Sequence, residues 1–418
     1  MSPQRQFAVD VVRQLREAGH VAYWAGGCVR DGLLERLPKD YDVATSATPD
    51  EIRNVFGHRR TLAIGAAFGV ITVLGKKEQG QIEVATFRQD AAYSDGRHPD
   101  SVRFSTPEHD AQRRDFTING LFYDPLEERV IDFVGGQEDL QAGILRAIGD
   151  ADARIDEDKL RMLRAVRFAA TYELTIEPGT LAAVQRHADE LRIVSAERIA
   201  EEMRRMLRHA QRRRAVELLR ESRLLPVVLP EVEFAASNND VWERMLEILD
   251  ALAVSGSFES ALAVLLSTAQ IDGTENGVKV ASEVATRWRL SNDERNRTTL
   301  LLKHENLIRR AADAPWPQVQ RVLILPGAEE LVDYCEAIAN ALGNDLSSIE
   351  FCREKLALPR EQLDPPPLIT GDDLKKAGIP PGKHYQELLN ALRDAQLEGK
   401  VTSSEKALEV ARKQWESR

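Results

Sequence analysis

The chain has 418 residues, of which 43% are hydrophobic and 29% are charged, and its formal net charge is −11. This length predicts roughly two to four domains, and no apolar run approaches the roughly 18 to 20 residues that cross a bilayer. The net negative charge argues mildly against nucleic acid as a partner. The three cysteines show neither disulfide nor metal-ligand spacing, so we expect a soluble protein of the reducing cytoplasm. We also expect no signal peptide.

The first part of the chain, about residues 1–145, shows alternating strand and helix patterns. In chain order we predict a helix over 4–18, a strand over 21–25, a Gly-Gly turn, a short helix, a strand over 41–44, a helix that begins at the capping box of Thr48 and Glu51, and a hairpin of strands over 69–74 and 82–87. These elements predict a small mixed sheet covered by helices.

Gly26-Gly27 and the pair Asp40 and Asp42 form the first candidate site. Glycines in a turn after a strand let the backbone approach a polyphosphate without a Cβ in the way. Because side chains at i and i+2 of a strand share a face, we expect both aspartates to point the same way. Two such carboxylates suit a Mg²⁺-dependent phosphoryl transferase, so the pattern predicts a nucleotidyltransferase. Glu83 of the hairpin is a candidate third carboxylate. The alternatives are that Gly26-Gly27 form an ordinary turn and that the three carboxylates lie on solvated strand faces.

Beyond about residue 150 the pattern becomes helical nearly throughout. Helices are predicted over 156–171, 178–190, 195–207, 212–220, 240–253 and 291–307. A proline-rich stretch over 363–367 predicts a stiff linker, after which a last small helical unit begins near residue 370. We therefore expect an α+β head of residues 1–145, followed by an all-α neck (146–210), body (211–362) and tail (363–418).

Two further segments contain candidate nucleotide-binding residues. Arg113-Arg114 stand just before an apolar stretch, where paired guanidiniums suit a triphosphate or brace the aspartates. Asp158 and Arg161 are three residues apart on the predicted 156–171 helix and so share a face. This pair is either an intrahelical salt bridge or a base reader, because a carboxylate accepts from an exocyclic amine while a guanidinium donates to a ring nitrogen or carbonyl.

A cluster of six arginines lies within residues 204–214. Such a cluster is either a solvated helix face or a surface that contacts RNA phosphates. The sequence leaves both interpretations open.

Taken in order, these motifs resemble those of the class II tRNA nucleotidyltransferases and bacterial poly(A) polymerases, relatives of DNA polymerase β. The matching segments are residues 26–31, 40–42, 113–119, 132–140, 157–164 and 195–199. They span about half of the chain, and residues 363–374 look like the family's tail. The resemblance implies a nucleotidyltransferase head followed by helical neck, body and tail.

The same resemblance implies an enzyme that adds or repairs the 3′-terminal CCA of tRNA, with CTP and ATP as substrates. Asp40 and Asp42 would hold two Mg²⁺ ions, one at the terminal 3′-hydroxyl of the RNA and one at the triphosphate. Gly27, Arg30 and Arg114 would contact the sugar and phosphates of the nucleotide.

Asp158 and Arg161 would then form a protein template for the incoming base, with Arg164 and Arg167 nearby. C and A both present an exocyclic amine where U and G present a carbonyl, so one carboxylate accepts the first pair and repels the second. Lys159 stands where the family often has proline, which we expect to be harmless in the first turn of a helix.

Residues 88–99 look like the family's flexible loop near the site, where the change from C to A addition is thought to be influenced; a plain hairpin connection is the alternative. We interpret the dipeptide His109-Asp110 as a coincidence, not as a phosphohydrolase metal site, because no second histidine cluster accompanies it. Two other functions remain open: A-only addition or poly(A) tailing on the same framework, and RNA binding without catalysis. The oligomeric state is also open.

Overall fold

The computed structural model describes residues 2–90, 102–232, 237–254, 256–268, 277–382 and 384–416. The chain separates into two compact units, Met1–Pro230 and Glu231–Arg418. In the described part of the chain, no helix combines the length and the apolar character that a membrane crossing requires.

The first unit contains all the described strands, most of them in one seven-stranded sheet. The strands are β1 (Ala22–Ala25), β2 (Asp42–Thr45), β3 (Thr61–Leu62), β4 (Val70–Leu74), β5 (Gln81–Thr86), β6 (Arg88–Asp90), β7 (Val102–Phe104), β8 (Phe122–Asp124), β9 (Arg129–Ile131), β10 (Ile144–Leu145) and β11 (Thr175–Ile176). The large sheet has the order β3-β4-β5-β2-β1-β8-β9, and only its β2–β5 pair is parallel. The predicted small mixed sheet and the β4–β5 hairpin are confirmed.

The helices of the first unit are α1 (Pro3–Glu17), α2 (Gly27–Leu33), α3 (Pro49–Phe56), α4 (Pro107–Gln112), α5 (Gly136–Gln141), α6 (Ala151–Glu157), α7 (Arg161–Tyr172), α8 (Pro178–His187), α9 (Ala196–Leu207), α10 (Arg212–Glu221) and α11 (Leu225–Val228). Helix α3 begins at the predicted capping box, in which Thr48 and Glu51 satisfy each other's backbone amides.

The core of the sheet lies under α1. Phe7, Val11 and Leu15 recur at helical spacing on α1 and are buried against Val43 and Val84 of the sheet. Burial of each such side chain is worth about 2 kcal/mol. Since α1 and α3 cover this face, the opposite face of the same strands remains for a site.

The second unit is helical throughout its described residues. Its helices are α12 (Asn239–Ala251), α13 (Phe258–Ser267), α14 (Gly277–Arg287), α15 (Asn292–Ile308), α16 (Trp316–Leu323), α17 (Ala328–Leu342), α18 (Ser347–Leu356), α19 (Arg360–Leu363), α20 (Gly371–Lys376), α21 (His384–Leu397) and α22 (Ser404–Glu416). The last three surround a small apolar core of their own, in agreement with the predicted last helical unit after the proline-rich linker.

Two predicted elements differ from the structure. The strand predicted over 41–44 begins at Asp42, so Asp40 precedes it. The helix predicted over 156–171 is two helices, α6 and α7, separated by a break at residues 158–160. Both differences lie at the site described next.

Candidate active site

A cleft of about 630 Å³ opens on the face of the sheet opposite α1, beside a small apolar cluster that includes Phe87 and Phe122. Asp42 and Glu83 point into it, whereas their strand neighbours Val43 and Val84 belong to the core under α1. Because side chains alternate between the two faces of a strand, β2 and β5 contribute residues both to the core and to the cleft. The predicted site residues that line the cleft are Gly27, Arg30, Asp42, Glu83, Arg114, Asp158, Arg161, Arg164 and Arg167.

Asp42 and Glu83 are direct neighbours, because β2 and β5 run parallel with these two residues in register. Desolvation in the cleft and the nearby charges of Asp40 and Glu83 together raise the pKa of Asp42 to about 6, against an opposing effect of Arg114. Within the described residues none of these three carboxylates forms an ion pair. Concentrated, uncompensated oxygen ligands are the donor set that suits a hard divalent cation.

Asp40 contributes charge to this group from outside the sheet. The prediction that both aspartates lie on one strand is wrong for Asp40, because β2 begins at Asp42, and the antiparallel pairing with β1 covers only Val43 to Thr45. Asp40 is exposed and is not among the described residues that line the cleft.

The Gly26-Gly27 turn allows a close approach between β1 and a guanidinium. Gly26 has a φ of +67°, and a Cβ there would lie 2.9 Å from Nη1 of Arg114. Both the backbone conformation and the contact therefore favour glycine. Gly27 begins α2 and lies on the cleft wall.

Arg30 is buried in the same wall and already has several partners. Its Nη1 donates to Oδ1 of Asn119 at 2.5 Å and its Nη2 to Oδ1 of Asp31 at 2.7 Å, and the guanidinium lies 4.1 Å from the ring centre of Tyr172. The side chain is therefore held in one orientation.

Asp110 orients both arginines of the Arg113-Arg114 pair. This buried carboxylate accepts from Arg113 at 2.7 Å and from Arg114 at 2.9 Å, and its Oδ1 also accepts from the backbone N–H of Arg88. Burial alone would raise the pKa of Asp110, but Arg114 and Arg113 outweigh it and hold the pKa below its ordinary value. His109 instead hydrogen-bonds Ser105 at 2.7 Å. Nothing in the sequence signals this role of Asp110 beyond its nearness to the arginines.

The helix break places Asp158 on the cleft wall. Asp158 has an extended backbone (φ −152°, ψ 105°), and its Oδ1 accepts from the N–H of Leu160. Its carboxylate pairs with Arg198 of α9 at 2.7 Å, not with Arg161. Arg161 instead pairs with Glu157 at 2.6 Å. The predicted shared helical face is therefore wrong, because Asp158 is not helical, although both residues line the cleft.

The two arginines that follow are held by buried carboxylates. Arg164 pairs with Asp115 at 2.5 Å and Arg167 with Glu202 at 2.5 Å. Burial alone would raise the pKa of Asp115, but Arg164 and the hydrogen bond from Asn119 outweigh it and lower the pKa to about 2. Asp115 and Asn119 stand in the 113–119 motif, whose predicted role rests on its arginines alone.

The arginine cluster within 204–214 does not act as one surface. Arg205 lines the cleft, and Arg208 is exposed. Arg212 is buried, and its Nε donates to the carbonyls of Leu207 and His209 at 3.1 Å. The cluster is therefore not one solvated face, and contact of any of its members with RNA phosphate stays a prediction.

The predicted flexible loop falls mainly outside the described residues. Only Arg88–Asp90 of residues 88–99 are described, as β6, which pairs with β7.

A second group of carboxylates and a histidine lies outside the cleft. Asp156, His187 and Glu190 have ligand atoms close enough to hold a metal. The ammonium of Lys159, however, pairs with both Asp156 and Glu190. A cation of the protein itself thus already neutralises these carboxylates.

Comparison with known proteins agrees with this architecture. Residues 22–146 match a family model described as the Poly A polymerase head domain, and residues 173–235 match one described as a probable RNA and SrmB- binding site of polymerase A. The CCA-adding enzyme of Lactobacillus helveticus is 32% identical over 408 residues, which cover 96% of this chain and 95% of that protein. Poly(A) polymerase I of Salmonella typhi is 39% identical over 252 residues, which cover 57% of this chain and 53% of that protein.

A solved structure shares the whole fold. The CCA-adding enzyme of Bacillus stearothermophilus, crystallised with CTP, superposes with a TM-score of 0.77 at 28% identity, and the match covers 100% of both chains. Together with the full-length relatives and the head-domain match, this shows that the chain belongs to the nucleotidyltransferase family of CCA-adding enzymes and bacterial poly(A) polymerases.

Proposed function

We propose that this protein adds or repairs the 3′-terminal CCA of tRNA, using CTP and ATP and a template made of protein side chains. The observation that carries the proposal is that one cleft contains both the carboxylates Asp42 and Glu83 and, on the facing helical wall, Asp158 among arginines. The first group suits the triphosphate and its metal ions; the second suits a base.

At the sheet, Asp40 and Asp42 would hold two Mg²⁺ ions, with Glu83 as a third carboxylate. The raised pKa of Asp42 supports this, because it reflects burial and like charges that a cation would relieve. Bound there, the metal supplies Lewis-acid activation of the RNA 3′-hydroxyl and neutralises charge on the triphosphate.

The protein groups around the metal position the nucleotide. The backbone of Gly27 borders the cleft without a Cβ, and Arg114, oriented by Asp110, points a guanidinium at the same space. Arg30, fixed by Asn119, closes the wall. Preset orientation lowers the entropy cost of binding a triphosphate in a reactive geometry.

On the helical wall, Asp158 and Arg161 would read the base. The carboxylate of Asp158 accepts from the exocyclic amine of C or A and repels the carbonyl of U or G. Arg164 and Arg167, fixed by their buried partners, would support the base or its sugar.

A sister activity, A-only addition or poly(A) tailing, uses the same head. Two comparisons favour CCA addition: full-length relatives are named CCA-adding enzymes, whereas the poly(A) polymerase match spans 57% of this chain. Incubation of the protein with Mg²⁺, tRNA that lacks its last three nucleotides, and CTP or ATP alone tests the choice. We expect C to be incorporated first and A only after two C residues; incorporation of A but never C would contradict the proposal.

The metal proposal has its own test in the pH dependence. Because the pKa of Asp42 is about 6, a proton competes with the metal below that pH. The half-saturating Mg²⁺ concentration should therefore rise as pH falls through about 6, and an unchanged Mg²⁺ requirement would argue against Asp42 as a ligand.

We also propose the finer division of the chain into a head (1–145), neck (146–210), body (211–362) and tail (363–418), with the tail in contact with RNA. The three free cysteines and a tRNA substrate favour a cytoplasmic location.

A further inference from the structure

Lys159 is a buried cation directly beside the proposed base-reading residue. It follows Asp158 in the break between α6 and α7, and it is only 6% exposed. Its Nζ lies 2.6 Å from Oδ1 of Asp156 and also pairs with Glu190. Burial alone would lower the pKa of Lys159, but the hydrogen bonds to Asp156 and Glu190 outweigh it and raise the pKa, so the ammonium stays charged.

His187 contacts Glu190 of this cluster and extends it to one more carboxylate, Asp152. Its Nδ1 lies 2.8 Å from Glu190 and its Nε2 lies 3.0 Å from Asp152. We call Lys159, Asp156, His187 and Glu190 the ionic latch. The latch joins the helix break to α8 and to the turn of residues 188–193 that follows it.

The break is thus held from two sides. In the cleft, Arg198 of α9 binds the carboxylate of Asp158 through two hydrogen bonds. Outside the cleft, the next residue, Lys159, is bound to Asp156 of α6 and to Glu190 in the turn that follows α8. Residues 158–160 are not helical, so contacts to neighbouring elements, in addition to short local hydrogen bonds, decide where this backbone lies.

We propose that Lys159 is a positioning residue for base selection, which acts by fixing the backbone that places the Asp158 carboxylate in the cleft. This inference rests on the proposed role of Asp158. Lys159 is not among the described residues that line the cleft. Its effect on the nucleotide therefore has to pass through its two neighbours in the break that line the cleft, Asp158 and Leu160, of which Asp158 has the carboxylate.

The test is Lys159→Met, which keeps much of the apolar side chain and removes the charge. We expect the preference for CTP and ATP over UTP and GTP, measured as ratios of kcat/KM in single-nucleotide incorporation, to fall about tenfold, since displacements near 1 Å cost on the order of one hundredfold. The loss should appear in kcat/KM for the correct nucleotides, and Lys159→Arg should restore the preference. Glu190→Gln, at a half-exposed partner, should act in the same direction if Lys159→Met does not fold.

The matched control is Arg186→Gln. Arg186 of α8 pairs with Asp152 of α6 at 2.6 Å; this pair shares Asp152 with His187 but does not contain Lys159 or a residue of the break. A merely structural role of the latch predicts that both variants lower the unfolding temperature and leave nucleotide preference intact, which would overturn the proposal.

Asp158→Ala, measured beside these variants, separates the two proposals. If Asp158→Ala loses nucleotide preference while Lys159→Met and Glu190→Gln keep it, the positioning role is wrong and the template stands. If Asp158→Ala also keeps the preference, the template itself fails, and the inference fails with it.

Discussion

The two walls of the cleft differ in whether their carboxylates form ion pairs with arginines. On the sheet wall, Asp42 and Glu83 lie side by side without an ion pair among the described residues, and the pKa of Asp42 rises to about 6. On the helical wall, Asp115 and Asp158 each hold an arginine, and the pKa of Asp115 falls to about 2. Among the described residues, the carboxylates Asp42 and Glu83 thus lack a cationic partner, whereas Asp115 and Asp158 each have one.

This difference suggests what each wall contributes. Unpaired carboxylates bind and release metal with the nucleotide, at the cost of mutual repulsion. Paired side chains keep a fixed shape, which a base reader needs in order to reject the wrong base. Substitutions on the two walls should therefore have different effects: loss of activity on the sheet wall and altered nucleotide selectivity on the helical wall.

The largest effect is expected on the sheet wall. Asp42→Asn should lower nucleotide incorporation by about 10³-fold or more, because loss of a metal ligand removes several kcal/mol of transition-state stabilisation. Binding of tRNA, measured by filter retention, should change little. Asp50→Asn, an exposed carboxylate of α3, is the matched control and should retain activity; substantial turnover by Asp42→Asn would contradict the metal assignment.

On the helical wall, we expect altered selectivity and not a complete loss of activity. Asp158→Ala should reduce discrimination against UTP and GTP by about ten- to hundredfold, since each hydrogen-bonded base contact is worth about 1–3 kcal/mol. Arg161→Ala should act in the same direction. Competition between correct and incorrect nucleotides in single-addition assays measures this, and unchanged ratios for both variants would move base reading to other residues.

The paired wall should also contribute to stability in a pH-dependent way. Because the pKa of Asp115 is about 2 in the folded protein and near 4 in the unfolded chain, its stabilisation is complete above about pH 4 and is lost as pH falls toward 2. This linkage amounts to about 2 kcal/mol in the free energy of unfolding.

Asp115→Asn should therefore unfold more easily near neutral pH and lose part of the acid dependence, as denaturant titrations at several pH values would show. Asp152→Asn, at an exposed ion pair, should have a much smaller effect. Equal acid dependence in the wild type and in Asp115→Asn would show that other groups produce it.

The smallest effect concerns RNA binding by α9. Arg205 lines the cleft, whereas Arg208, at the C-terminal end of α9, is exposed and is not among the described residues that line the cleft. Arg205→Gln should weaken tRNA binding several-fold and reduce the slope of log affinity against log salt by about 1, the value for one lost phosphate contact. If Arg208→Gln alters the slope and Arg205→Gln does not, the RNA lies outside this part of the cleft.

The sequence predicted much of this architecture because local signals were strong. The capping box at Thr48, the β4–β5 hairpin and the short helix after Gly26-Gly27 each follow from patterns within about ten residues. The order and spacing of the motifs were sufficient to indicate the family. Asp42 and Glu83 were predicted to lie on strands, and both are on strands and line the cleft.

What the sequence missed depended on partners that are distant along the chain or on contacts made only in the fold. Asp110 stands in a dipeptide that looks coincidental in sequence, although it orients Arg113 and Arg114. Arg198 stands in a recognised motif, but the sequence indicates no role for it; in the fold it pairs with Asp158, 40 residues earlier in the chain. The single-helix prediction for 156–171 failed because helical periodicity continues across a break that tertiary contacts stabilise.

By itself, then, the sequence determined the family and the class of chemistry, because its motifs are short, local and ordered along the chain. Only the tertiary structure decided how each charge is used. Whether a carboxylate has no ion pair among the described residues, like Asp42, or pairs with an arginine, like Asp115, depends on which distant side chain packs against it. Electrostatic energy depends on the distance between charges in space and does not depend on their separation along the chain.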